Sequence, residues 1–257
     1  MTDGIVQHLF IKPKRQHPTF AASEIYLCRG YGIKGDLNGN STSPRQILIT
    51  NQQDLDEFSI APGELRENIV LHKIIPEAFK PGSKLTFSSG AQVRLTFYCE
   101  PCQRIAYLVD SLKSIEQKRG ILGVVIKDGK ITTGDFVSIE PNYFPALSPI
   151  PYERFLNLIG KIPSGKVITY RQILTSIGVD RSYYRVLPTY IKKAPSNYPV
   201  HRILDSQGQT IIHISQHREK LAAEGIEMAI SSLTEGDRDR CHSVSLKEYA
   251  WQNPSIY

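Results

Sequence analysis

The period of the apolar positions changes near the middle of the chain. In residues 85–97, Leu85 and Phe87 alternate with polar positions, Ser88-Ser89-Gly90 turns the chain, and Val93, Leu95 and Phe97 alternate again. Period-two alternation on both sides of a glycine turn predicts a half-buried hairpin. Residues 121–139 hold further apolar runs split by Asp128-Gly129, a dipeptide that favours a tight hairpin turn. One helix is predicted in this half, because Ile105, Leu108, Val109 and Leu112 fall at i, i+3, i+4 and i+7. Many short strands with one or two helices point to a mainly-β, closed or nearly closed barrel.

Past residue 151 the period becomes helical. Tyr152, Phe155, Leu156 and Ile159 form one stripe that Gly160 ends, and Ile162-Pro163-Ser164-Gly165-Lys166 reads as a turn. Thr169-Tyr170-Arg171-Gln172 has the capping-box pattern, with threonine at the N-cap and glutamine at N3. Tyr170, Ile173, Leu174 and Ile177 continue that helix and Gly178 closes it. A third helix is expected over Tyr183–Lys193, starting at Leu187 or kinking there because Pro188 removes a backbone donor. Two short helices around a turn, the second one basic, predict a helix-turn-helix in a mainly-α, winged-helix-like domain. Glu140–Pro151 carries four prolines and reads as a linker. The expected organisation is a barrel over 1–140, a linker over 141–151, a helical domain over 152–228 and a tail over 229–257.

Charge sharpens this picture. The chain carries a net +6 over 257 residues. Between Lys161 and Arg202 eight basic side chains stand against Asp180 alone, an excess that exceeds the net charge of the whole chain. Such a block fits either a polyanion partner or a solvated basic face. No run of apolar residues approaches the length of a membrane-spanning helix, and no basic segment leads into an apolar one at the N-terminus. Cys28, Cys99, Cys102 and Cys241 do not make a disulfide framework for a chain of this size. A soluble protein of the reducing cytoplasm is expected, with no membrane partner.

Three segments in the helical half carry a specific resemblance. Ile162–Tyr170, then Pro199-Val200-His201-Arg202-Ile203, then Ala223-Glu224-Gly225-Ile226 resemble the IPxGKVxTY, PCHRV and xEGV segments of the alkylguanine-DNA alkyltransferases. The resemblance implies that His201 helps to generate a thiolate on its neighbour and that Glu224 orients His201. The acceptor place holds Val200, which has no lone pair to attack an alkyl carbon, so methyl transfer to this position is chemically excluded. Cys241, beyond the motif, is not a substitute. The pattern resembles the alkyltransferase-like proteins, which bind alkylated guanine without repairing it and usually carry tryptophan or alanine at this place.

The same resemblance gives Tyr170 the task of crowding a backbone phosphate and Arg185 that of filling the stack vacated by an extruded nucleotide. Extrusion costs a few kcal/mol, which inserted side chains offset. The bland readings are a core tyrosine and an ordinary phosphate contact. Arg171, Lys192, Lys193 and Arg202 complete the expected contacts to double-stranded DNA, with Val200, His201 and Glu224 at the lesion. Other repair proteins would follow as partners. Two departures stand out. Val186-Leu187-Pro188-Thr189-Tyr190 follows Arg185 where the family has small residues, and Ala194-Pro195 stands where the enzymes have an asparagine before the proline.

The barrel half resembles the MOSC domain, named after the C-terminal part of molybdenum-cofactor sulfurases. The matching pieces are Gly32–Asp36, Pro44–Ile47, Gly63–Ile69, Cys99-Glu100-Pro101-Cys102 and Gly129–Asp135. The resemblance implies that Cys102 carries sulfur or coordinates the molybdenum of a pterin cofactor, since a thiolate is both nucleophile and soft ligand. Arg66 and Arg104 would lower its pKa and meet a pterin phosphate, with Arg45 and Asn68 as further contacts. The C-x-x-C spacing alone also admits a redox dithiol, a zinc clip lacking two ligands, or two idle cysteines. Three functions are open: a lesion-binding module, a molybdenum-dependent reductase of N-hydroxylated compounds or sulfur carrier, and a cofactor-responsive DNA-binding regulator.

Overall fold

A computed structural model describes residues 4–15, 17–230, 242–252 and 254. The chain divides into two compact units, Met1–Pro149 and Ile150–Ile256. No helix among the described residues is long and apolar enough to cross a membrane.

The first unit is a β-barrel. Its strands are β1 (Gly4–Ile11), β2 (Phe20–Ala22), β3 (Glu24–Cys28), β4 (Gly32–Ile33), β5 (Ile47–Asn51), β6 (Ile69–His72), β7 (Lys84–Phe87), β8 (Gln92–Tyr98), β9 (Ile121–Lys127), β10 (Gly129–Thr132) and β11 (Phe136–Glu140). The main sheet runs β11-β7-β8-β9-β5-β6-β1-β2, and β1 also pairs with β11, which closes the barrel. All of its pairs are antiparallel except β5–β6, whose crossover holds α1 (Gln52–Glu57). The alternation read at 85–97 is real: Leu85, Phe87, Val93 and Leu95 are buried in the barrel core, and β7 and β8 form a hairpin. Outside the barrel wall, α1 covers a second cluster of Phe10, Leu55, Ile60, Leu65, Val70, Ile105 and Ile115.

Two local expectations are corrected. Asp128-Gly129 does not turn β9 back on itself. Instead β10 leaves the main sheet and pairs with β3, placing Gly129 opposite Leu27. A Cβ at Gly129 would lie 2.8 Å from the Ala91 Cβ, so glycine serves close approach here rather than turn geometry. The helix read around Ile105–Leu112 is a 3-10 helix over Gln103–Leu108, and Val109 is already extended (φ −141°, ψ 150°). It lacks a side-chain cap, while Leu108, Val109 and Leu112 still pack on the second cluster. Burial was legible there and helix length was not.

The proline-rich stretch packs on the barrel. The Lys84 ammonium sits 3.8 Å from the Tyr143 ring centre, and the Arg94 guanidinium lies 4.8 Å from that of Phe144. Arg94 also donates to the Pro145 carbonyl at 2.8 Å, and Leu147 packs against Leu48, Phe97, Cys99 and Leu122.

The second unit holds α2 (Pro151–Ile159), β12 (Ile168–Thr169), α3 (Tyr170–Ile177), α4 (Leu187–Lys193), β13 (Ile203–Leu204), α5 (His217–Ala223), β14 (Met228–Ile230), β15 (His242–Val244) and α6 (Leu246–Tyr249). The capping box on α3 is formed: Thr169 Oγ1 accepts from Gln172 N at 3.3 Å, and Gln172 Oε1 accepts from Thr169 N at 2.9 Å. Gly178 closes α3 in the left-handed region at φ 68°. A 3-10 turn over Arg181–Arg185 precedes α4, which starts at Leu187 with Pro188 in its first turn. Residues from β15 onward complete the unit. Val244, Leu246 and Tyr249 pack with Val167, Leu204, Leu221 and Ile226, and Ser176 Oγ donates to the Pro254 carbonyl at 2.8 Å. Cys241 lies outside the described residues.

Candidate functional site

In the helical unit the site is built on a short 3-10 turn, Val200–Arg202, that leads into β13. Val200 and His201 are half-buried on that turn. Glu224, at the end of α5, reaches it from the other side. Its Oε1 lies 2.8 Å from His201 Nε2, and both its oxygens accept from Arg202 Nε, at 3.0 and 2.9 Å. Arg202 Nη2 adds a bond of 2.7 Å to Oε1, and Arg202 Nη1 donates to the Ile162 carbonyl at 2.5 Å. Gly165 N–H donates to Oε2 at 3.0 Å. One carboxylate thus gathers all three sequence segments. Burial alone pushes Glu224 up, but Arg202, His201 and the Gly165 amide outweigh it and hold the carboxyl at about 2. The arrangement orients His201 without presenting it a nucleophile, because the adjacent side chain is that of Val200.

The expected DNA contacts take distinct places. Tyr170 is the first residue of α3 and is half-buried; burial, then the Asp205 carboxylate, pushes its phenol up to about 12, so it stays a neutral hydrogen-bonding group. Arg171 is exposed one residue further on. Arg185 is exposed at the end of the Arg181–Arg185 turn, immediately before α4. Lys192 and Lys193 are exposed in the last turn of α4, where the helix dipole favours cations. Arg202 is turned inward and is committed to Glu224. Sequence reasoning missed His217, which is buried and hydrogen-bonded to the His201 carbonyl at 2.8 Å. In the sequence it stands out only as a histidine four positions before Leu221, the other buried residue of α5.

In the barrel unit Cys102 stands at the residue before the 3-10 helix Gln103–Leu108, without a side-chain cap bond, and is half-buried. The cation against it is Arg119, a residue the sequence reading did not select. Arg119 Nη1 is 3.3 Å from Cys102 Sγ and also donates to the Glu100 carbonyl. Arg119 is itself only 6% exposed, and among the described residues its Nε has no hydrogen-bond partner. Arg45 serves the other cysteine: its Nη2 lies 3.8 Å from Cys99 Sγ and its Nη1 pairs with Glu100 at 3.0 Å. Cys99 is buried, which pushes its thiol up against the pull of Arg119 and Arg45. The two cysteines therefore sit in unlike surroundings.

Arg66 and Arg104 are exposed and stand near Lys12. Burial first, then the charges of Arg66 and Arg104, lower the Lys12 ammonium, and Asp36 opposes them. Asn68 faces inward. Its Oδ1 accepts from Leu48 N at 3.1 Å, and its Nδ2 donates to the Phe10 carbonyl and to Asp36 Oδ2 at 3.3 and 3.2 Å. Among the described residues no three His, Cys, Asp or Glu side chains group as a bare metal ion requires. A single thiolate fits a metal whose other ligands come from an organic group. Cys102, the unpaired Arg119 Nε and the Lys12–Arg66–Arg104 cations fit an anionic metal-pterin in chemical type.

Comparison with known proteins gives matches to both units. Residues 151–226 match the DNA-binding domain of 6-O-methylguanine DNA methyltransferase, and residues 40–138 match the MOSC domain. Alkyltransferase-like protein 1 of Schizosaccharomyces pombe is 31% identical over 108 residues, covering 39% of this chain and 94% of that protein. The crystal structure of S. pombe Atl1 with damaged DNA containing O6-carboxymethylguanine shares 28% identity over 40% of this chain and 94% of that one, with a TM-score of 0.35. The YUAD protein from Bacillus subtilis shares 22% identity over 53% of this chain and 94% of that one, with a TM-score of 0.47.

Proposed function

From the premise that this chain belongs to the alkyltransferase-like family through its helical unit and carries a MOSC domain before it, we propose that it binds duplex DNA, recognises guanine alkylated on its exocyclic oxygen, and leaves the alkyl group in place. The single observation that carries this reading is Glu224 bound to His201, Arg202 and Gly165 around a turn whose acceptor place is Val200. The His201–Glu224 pair of the alkyl-transfer pattern is present, and the acceptor place holds Val200, which has no nucleophile. S. pombe Atl1 has been crystallised on DNA containing O6-carboxymethylguanine, which supports the ligand class.

A lesion on a base edge is inaccessible while the base is stacked, so the nucleotide must leave the helix. In this reading Tyr170 bears on the phosphate beside the lesion, Arg185 fills the vacated stack, and Arg171, Lys192 and Lys193 hold the backbone. The neutral phenol of Tyr170 suits contact beside a phosphate, since a phenolate would repel it. Incubation with duplex carrying a radiolabelled methyl on guanine tests the chemistry. The label should remain on DNA while the protein retains that DNA; stoichiometric label on protein refutes the reading.

For the barrel unit the reading is a cofactor or sulfur site at Cys102. A molybdenum pterin, when bound, supplies oxygen-atom and two-electron chemistry. This chain would contribute the Cys102 thiolate as ligand, Arg119 beside its sulfur, and Lys12, Arg66 and Arg104 for the phosphate end. Analysis of metal, pterin and bound sulfur in protein from a host that makes the cofactor tests it, and absence of all three removes the proposal.

A further inference from the structure

Arg119 holds the turn that carries Cys102 from two sides. The side chain is 6% exposed. Its Nη1 donates to the Glu100 carbonyl and lies 3.3 Å from Cys102 Sγ. The backbone beside it is fixed as well. Gly120 takes φ 102°, and a Cβ there would lie 2.5 Å from the Ile49 carbonyl oxygen. The Gly120 carbonyl accepts from Cys99 N–H at 2.9 Å. Both cysteines of the C-x-x-C turn are thus tied to two adjacent residues, Cys99 through its backbone and Cys102 through its sulfur. On the other side the Cys102 carbonyl accepts from the N–H of fully buried Ile105 at 3.0 Å.

The charge of Arg119 is the second observation. A guanidinium stays charged throughout the range in which proteins fold. Taking it out of water is costly unless an anion answers it. Among the described residues no carboxylate forms an ion pair with Arg119. Glu100, whose carbonyl it holds, gives its carboxylate to Arg45 at 3.0 Å. The Arg119 Nε is buried and, among the described residues, has no hydrogen-bond partner. A buried cation without a carboxylate therefore stands against the sulfur of a half-buried cysteine.

We propose that Arg119 is the positioning and charge-selecting residue of the Cys102 site: it fixes the turn that carries the sulfur, and its buried charge makes that sulfur combine with anionic partners in preference to neutral ones of the same shape. The proposal rests on the reading of Cys102 as a sulfur or cofactor site, and it narrows that reading to an anionic donor or ligand. Coulomb attraction supplies the selectivity. An anion that reaches Sγ comes close to Arg119 where solvent screens poorly, and a neutral molecule gains little from the same approach. Arg104, two residues from Cys102, is exposed, so water and salt screen its share of the field.

The test uses the full chain at one pH and one ionic strength, with iodoacetate as the anionic reagent and iodoacetamide as its neutral counterpart. Peptide mass analysis follows the label on Cys102 alone. The rate ratio, anionic over neutral, should be about fivefold or more higher in the folded chain than for the same sulfur in urea. Arg119→Gln should bring the folded ratio down to the value in urea. A residue that only shaped the turn would change both rates alike and leave the ratio where it was. A native ratio no higher than in urea, or a raised ratio that survives in Arg119→Gln, overturns the proposal. If Arg119→Gln does not fold, the comparison of native and urea-unfolded chain decides. Absence of metal, pterin and sulfur on protein from a cofactor-making host removes the reading of the site, while the rate ratio still judges Arg119.

Discussion

Glu224 receives the Arg202 guanidinium on both of its oxygens, with Nε 3.0 Å from one and 2.9 Å from the other. The pair holds the end of α5 against the turn that bears Val200. Because its folded pKa is depressed to about 2, the carboxylate contributes stability that is present above its ordinary value of 4.5 and is lost as pH falls toward 2. Glu224→Gln should therefore cost about 2 kcal/mol at pH 7. The gap between native and variant should close in urea titrations below about pH 4. A gap that persists unchanged to pH 2.5 would show that the pair is not the source.

The two cysteines of the C-x-x-C element should behave differently. Cys102 is half-buried beside Arg119, whereas Cys99 is 3% exposed among Leu48, Phe97 and Leu122. Alkylation of the native protein should reach Cys102 first and leave Cys99 largely protected. Cys99→Ser places a hydroxyl in an apolar cluster and should cost about 1–2 kcal/mol. Cys102→Ser should leave stability within about 0.5 kcal/mol but lose any retained sulfur or cofactor. Equal alkylation rates would favour a symmetric dithiol.

Lys192 and Lys193 lie exposed at the end of α4, so each should act as a phosphate contact. Affinity for plain duplex should fall steeply with salt, and Lys192→Ala should reduce the slope of log affinity against log salt by about one. A flat salt response in a band-shift series would remove the DNA-binding account of the basic block.

The chain beyond Met228 should matter to the helical unit. Val244 is 4% exposed and packs with Val167, Leu204 and Leu221. Val244→Ala should lower stability by about 1–2.5 kcal/mol, visible as a lower melting temperature of the unit. An unchanged transition would mean that this packing contributes little.

How far the sequence revealed all this depended on how local each signal was. Period-two alternation at 85–97 and the Thr169–Gln172 capping box depend on neighbours in the chain, and both appear in the fold. Asp128-Gly129 carried a hairpin signal, but the partner of β10 is β3, about a hundred residues earlier, and local propensity cannot name it. The Glu224–His201 relation was legible through resemblance. Arg119 and His217 were not, because each acts on a sulfur or a carbonyl brought to it only by folding. The sequence predicts Asn68 as a cofactor contact, whereas the structure places its amide among Leu48, Phe10 and Asp36 inside the unit. The segment after Met228 has no sustained period, so its packing against Val167 and Ser176 left no mark in the sequence.

In the proposed function, an alkyl-transfer scaffold whose acceptor place is Val200 serves as a lesion reader. Equilibrium competition between two duplexes identical except for one alkylated guanine tests it most directly, at pH 8 with native protein and Arg185→Ala. The native chain should prefer the lesion duplex by about tenfold or more, a difference of about 1.4 kcal/mol. Arg185→Ala should lose more of that preference than of its affinity for plain DNA. Equal binding of both duplexes by the native chain would contradict the claim and leave the helical unit as a DNA-binding domain without lesion recognition.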